Sequence, residues 1–202
     1  MGIFDFFSRK RAAGSAGAVP QPPQDVAAPI DYAPLVPMAA LISNDDPQVA
    51  ADMALLAAGY ETFRAAYPGW CETMSFGDVA PEHYDATVRD VFVYWLAGYD
   101  TPFQYGAYID WKAAPEDIVW QLERAAASLH APLDVAAIPF SGDEDTATSL
   151  ERIAQHVRAR GYALTVIDTE SDSYHLYLVP ETEYGRIVAL GASVGFTVVR
   201  PA

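Results

Sequence analysis

Asp168, Glu170 and Asp172 alternate along "DTESD", and His175 follows three residues later. Carboxylates and an imidazole are the residue types that move protons near neutral pH. Together with Asp110, at the end of "YGAYID", they define one candidate set: Asp110, Asp168, Asp172 and His175 as the acid–base groups of a hydrolase or other enzyme built on sheet carboxylates. That chemistry requires all four to converge in one cleft. A calcium loop counted from Asp168 would need Gly at its sixth position and Glu at its twelfth, where the chain has Ser173 and Val179. No metal site is assigned, and the simpler expectation for the turn is a solvated acidic tip. Strand alternation puts His175 opposite Tyr174, Leu176 and Leu178, which predicts a histidine on the sheet surface. His83, His130 and His156 show no paired spacing.

A second set sits in "YIDWKAAPEDIVWQLERAA", residues 108 to 126. Pro115, Glu116 and Asp117 are accounted for by helix initiation, since proline suits the first helical position and acids suit the positive end of the dipole. Asp110, Trp111 and Lys112 have no such explanation. Trp120 lies about 200° around the helix from Leu122, off the apolar stripe, by the roughly 100° turn per residue. Tyr99, Phe103, Tyr105 and Tyr108 crowd the same stretch, and an aromatic surface rimmed by acids suits a protein partner. Asp110, Trp111, Lys112 and Trp120 are therefore the candidate partner-binding residues.

Other motifs carry no chemistry. "GASVG", Gly191 to Gly195, has the spacing of a nucleophile elbow, but the expected helix precedes it and the strand follows, the reverse of what that turn needs. Cys71 is the sole cysteine and has no adjacent basic residue in sequence, so an inert, half-buried thiol and no internal disulfide are expected. Neither glycine-rich phosphate loop is present, and no cofactor is implied.

The net charge is −15 over 202 residues. Three of the 12 basic and one of the 27 acidic residues lie in positions 1–11, so the remainder carries −17. Such a surface repels phosphate backbones and excludes nucleic acid as the expected ligand, while it favours encounter with a basic protein. A cytoplasmic location is expected from the single cysteine and the lack of a long apolar run or secretory start.

Residues 1–33 read as a tail and linker rich in Ala, Gly, Pro and Gln, ahead of one domain over 34–202. Within the tail, Phe4, Phe6 and Phe7 precede Arg9, Lys10 and Arg11, the layout of a weak peripheral membrane contact and the basis of a membrane-scaffold alternative. Periodicity and caps predict helices over 46–69, 81–97, 115–129, 146–160 and 181–194. Strands are expected at "YGAYIDW", "LDVAAIPF", "YALTVID", "SYHLYLV" and "FTVVR", the third and fourth as a hairpin across "TESD". The sum is an α+β, or mixed α/β, fold: a helical N-terminal half packed on a mixed sheet that ends in a ββαβ unit.

"YIDWKAAPEDIVWQLERA", followed some forty residues on by "DSYHLYLVP", resembles an uncharacterised bacterial family known as a domain of unknown function, the 6630 family, over roughly residues 36–200. The resemblance implies a small bacterial cytoplasmic protein and carries over no catalytic residues. The leading expectation is a non-enzymatic acidic interaction module, of the immunity type that covers a basic toxin surface. An enzyme is the alternative.

Overall fold

The structure is a computed structural model and describes residues 30–141, 144–169 and 171–201. Phe4, Phe6, Phe7, Arg9, Lys10 and Arg11 lie outside the described residues. Helices α1 (Leu35–Ser43), α2 (Pro47–Ala57), α3 (Tyr60–Ala66), α4 (Pro68–Thr73) and α5 (Tyr84–Ala97) precede strand β1 (Gly106–Asp110). Then come α6 (Pro115–Ser128), α7 (Thr146–Arg158), β2 (Tyr162–Asp168), β3 (Ser173–Pro180), α8 (Tyr184–Ser193) and β4 (Thr197–Val199). The fold is α+β, and the strands run β1-β3-β2-β4 with every pair antiparallel, where a mixed sheet was expected. Strands linked by a tight hairpin or by a connection that returns at the same end pair antiparallel, and no β-α-β crossover here joins parallel neighbours.

Both faces of the sheet are covered. His175 and Tyr177 turn toward α5, where the Tyr177 hydroxyl donates to the Val93 carbonyl at 2.8 Å. Leu164, Val166, Leu176 and Leu178 alternate onto the other face and are also buried. Helices α6 and α7 pack there, against β1 and β2. Gly106 is required by this arrangement, because a Cβ on it would come within 2.4 Å of the Tyr177 ring.

Two departures from the expected elements have local causes. The single helix expected over 46–69, with Pro68 and Gly69 as its stop, is instead α2 and α3, and Pro68 opens α4: Gly59 has φ 125°, a conformation outside the helical region that non-glycine residues rarely adopt, and the chain turns there between α2 and α3. Its start does match, since an Asp46 carboxylate oxygen accepts from the N–H groups of Gln48 at 2.8 Å and Val49 at 3.2 Å. "LDVAAIPF" is not a strand; Ile138 N–H turns back to the Val135 carbonyl at 3.2 Å, and both side chains are buried.

Edge strand β1 is closed off by a side chain. The Tyr108 N–H donates to Gln121 Oε1 at 2.9 Å, and Gln121 Nε2 donates to the Tyr108 carbonyl at 2.7 Å. One glutamine on α6 thus supplies the donor and acceptor that a neighbouring strand would have offered, which blunts the edge against pairing with another chain.

Candidate functional site

The antiparallel order gathers chemistry at one end of the sheet. Strands β1 and β2 finish there on Asp110 and Asp168, while β3 and β4 begin there on Ser173 and Thr197, the partners of Asp110 and Asp168 in register. Asp172 precedes β3 and lies at the same end. Alternating carboxylates that looked like one hairpin tip in the sequence are therefore joined by Asp110 from a different strand.

Trp111 leaves β1 at this end with its backbone held from both sides. Its N–H donates to the Asp172 carbonyl at 3.3 Å, and its carbonyl accepts from the hydroxyl of Thr146, the first residue of α7, at 2.8 Å. The Thr146 hydroxyl also lies 3.1 Å from the Ala113 carbonyl. Asp110 closes the turn, its carboxylate accepting from Lys112 N–H at 2.8 Å and its carbonyl from Ala113 N–H at 2.9 Å. The result is a rigid backbone presenting an indole that is 50 % exposed. Lys112 lays its ammonium over that ring, 4.3 Å from the centroid. Trp120, on α6, is 55 % exposed and carries the Arg124 guanidinium at 4.9 Å. These are the two most exposed large hydrophobic side chains among the described residues.

The acid–base set is distributed differently. Asp110 and Asp172 are exposed. His175 is not on the sheet surface as expected but is 1 % exposed, enclosed by the rings of Tyr94 on α5 at 5.0 Å and Tyr108 on β1 at 5.4 Å. The alternation itself was right; the face opposite Leu176 is covered by α5. Burial pushes the His175 pKa down to about 4, so the ring is neutral at physiological pH, and its Nδ1 has no hydrogen-bond partner. Asp168 is half-buried and lines a cleft of about 260 Å³ with Arg89 and Asp90 of α5, Thr169 and Thr197. Burial raises the Asp90 pKa, with Arg89 opposing the shift. Glu170 lies outside the described residues.

Two acids escaped the sequence reading. Asp90 opens the otherwise apolar stretch "DVFVYWL", and Asp52 stands inside "VAADMALL". An acid on the buried side of such a run is the available signal, because it must find donors or remain dehydrated. Asp52 finds them: it is 1 % exposed and accepts from Gln48 Nε2 at 2.8 Å, the Tyr67 hydroxyl at 2.5 Å and Trp95 Nε1 at 3.1 Å. Cys71 is fully buried rather than half-buried, and burial raises its pKa. Among the described residues, no group of three or more His, Cys, Asp or Glu is arranged to hold a metal ion, and no helix is long and apolar enough to cross a membrane.

Fold and site together define an α+β domain in which helices enclose an antiparallel sheet and one sheet end displays a held tryptophan among acids. Residues 35–202 match the family model described as "Domain of unknown function (DUF6630)", and the chain belongs to that family. No curated protein and no solved structure matches it.

Proposed function

We propose that the protein is a non-enzymatic interaction module that binds a basic protein at the surface formed by Asp110, Trp111, Lys112 and Trp120. The observation that carries this reading is the half-exposed Trp111 indole on a backbone fixed by Asp172 and Thr146. A large aromatic side chain ordered before contact loses little entropy on binding, which is how anchor residues at interfaces gain their weight. Asp110, Asp168 and Asp172 at the same end, with a net charge of −15 overall, favour a positively charged partner and speed the encounter. An immunity-type role, covering the basic surface of a toxin, fits that chemistry.

The test is co-precipitation from the source organism with the full chain and with a Trp111→Ala, Trp120→Ala variant. The wild type should retain a stoichiometric basic protein at low salt and release it at high salt, and the variant should not retain it. Recovery of no stoichiometric partner, or equal recovery by the variant, overturns the reading.

The cleft supports a second reading. Asp90 and Asp168 share one cavity, and Asp90 is held toward its protonated form by burial. Two carboxylates with unlike environments are the arrangement an acid–base enzyme uses. Hydrolysis abolished by Asp168→Asn in a panel of ester and amide substrates would favour it over the interaction module.

A further inference from the structure

We infer that the face of Trp111 is a seat for an arginine of the partner, and that Lys112 is the intramolecular cation that occupies the seat until the partner arrives. This rests on the reading of the sheet end as an interaction surface and names the side chain that surface takes.

The ring already hosts a cation, since the Lys112 ammonium lies 4.3 Å from its centroid. The indole is half exposed and its backbone is pinned on both sides, so the backbone that carries the face does not depend on the Lys112 side chain for its position. Two carboxylates belong to the same sheet end, Asp110 one residue before Trp111 and Asp172 just ahead of the adjacent strand, one residue before Ser173, the partner of Asp110. One oxygen of Asp110 is engaged by the Lys112 N–H, while among the described residues Asp172 is engaged through its backbone carbonyl. Neither carboxylate forms an ion pair among the described residues.

A ring face beside carboxylates distinguishes arginine from lysine. A guanidinium is planar and weakly hydrated, stacks on an aromatic face and still directs its edge N–H groups at carboxylates. An ammonium is compact and strongly hydrated, and over the ring it reaches fewer acceptors at once. Lys112 is therefore displaceable: its side chain returns to water at small cost when a guanidinium takes its place. An acidic or apolar partner residue would gain nothing from Asp110 and Asp172.

The experiment is an NMR titration of the full-length protein with N-acetyl-arginine amide, alongside N-acetyl-lysine amide and N-acetyl-norleucine amide. The arginine probe should shift the amides of Trp111, Lys112 and Ala113 and bind more tightly than the lysine probe, with no binding by norleucine. Lys112→Ala removes the competing cation and should tighten arginine binding about two- to five-fold, the worth of one exposed cation–π contact. Trp111→Leu should abolish the shifts, and Asp110→Asn with Asp172→Asn should weaken them several-fold.

The inference is overturned if Lys112→Ala leaves arginine binding unchanged or weaker, if lysine binds as well as arginine, or if the shifts map elsewhere. Loss of the cellular partner by the double tryptophan variant, with no arginine preference in the titration, would sink this inference and leave the interaction surface standing. The expected titration, with the partner still captured by that variant, would sink the interaction reading instead.

Discussion

Trp95 with Asp52 and Trp111 with Asp110 are built from the same two side-chain types at opposite extremes of burial. Inside, between α2 and α5, the Trp95 indole N–H donates to Asp52 at 3.1 Å, and Tyr67 and Gln48 complete the carboxylate's shell. Phe63, Tyr67 and Trp70 pack around Trp95 with ring centroids 4.6–5.0 Å away. At the sheet end, by contrast, among the described residues the Asp110 carboxylate accepts from a backbone N–H, and the Trp111 ring meets the Lys112 ammonium. A satisfied carboxylate beside an enclosed indole has no capacity left for a ligand. The outer pair keeps acceptor oxygens and a ring face available while its backbone is fixed.

Removing the inner carboxylate should have the largest effect on stability. Asp52→Ala leaves the Trp95 N–H, the Tyr67 hydroxyl and the Gln48 amide without their shared acceptor, at about 1–3 kcal/mol for each group that stays buried. A total loss of roughly 3–5 kcal/mol is expected from urea unfolding, allowing for relaxation of Gln48 toward solvent. The Tyr67 phenol, pushed up to about 12 by burial and then by its bond to Asp52, should titrate closer to its ordinary value in the variant. A loss below about 1 kcal/mol would mean that the ring packing holds this region without the carboxylate.

His175 gives the next largest effect and sharpens the same contrast, because it is buried like Asp52 but with an unpartnered nitrogen. Its pKa is about 4 in the folded protein against about 6.5 when unfolded. Between those values the unfolded chain binds a proton that the folded chain refuses. Stability from this group is therefore full above pH 6.5 and falls as the pH drops toward 4, by on the order of 3 kcal/mol. His175 is faced by the rings of Tyr94, whose pKa burial raises, and of Tyr108. Unfolding free energies measured from pH 7 to 4.5 should decline in the wild type and be flatter in His175→Phe. Parallel curves would show that other groups carry the acid sensitivity.

How far the sequence disclosed this arrangement depended on whether a feature was local. The start of α2 was legible because Asp46 and Pro47 act within one turn, and so was the β2–β3 hairpin, because alternation and a polar turn are adjacent in the chain. Helix α1 was not, since "LVPMAALIS" is nearly uniformly apolar and shows no period; its Pro37 is tolerated because first-turn N–H groups have no helical partner. At the site, Asp110, Trp111 and Lys112 stood out as unexplained by helix initiation, and both Trp111 and Trp120 are exposed. What makes Trp111 special, the hydroxyl of Thr146 some 35 positions away, left no trace in the local pattern. The enclosure of His175 was likewise set by α5, an element far from it in the chain.

Trp111→Ala carries the smallest stability effect and the most direct consequence for the comparison. The side chain is half in water, and the bonds that hold this turn are made by its backbone, which alanine keeps. The unfolding free energy should change by no more than about 0.5 kcal/mol, as for surface positions generally, while capture of the basic partner is lost. Thr146→Val tests the other half of the argument. It leaves every exposed atom of the indole in place but removes the hydroxyl that fixes the Trp111 carbonyl, so partner binding should weaken although no contact residue has changed. A free hydroxyl-less turn should also show faster amide exchange at Trp111. If Thr146→Val binds as the wild type does, the indole acts through its exposure alone, and the distinction between the two tryptophans reduces to burial.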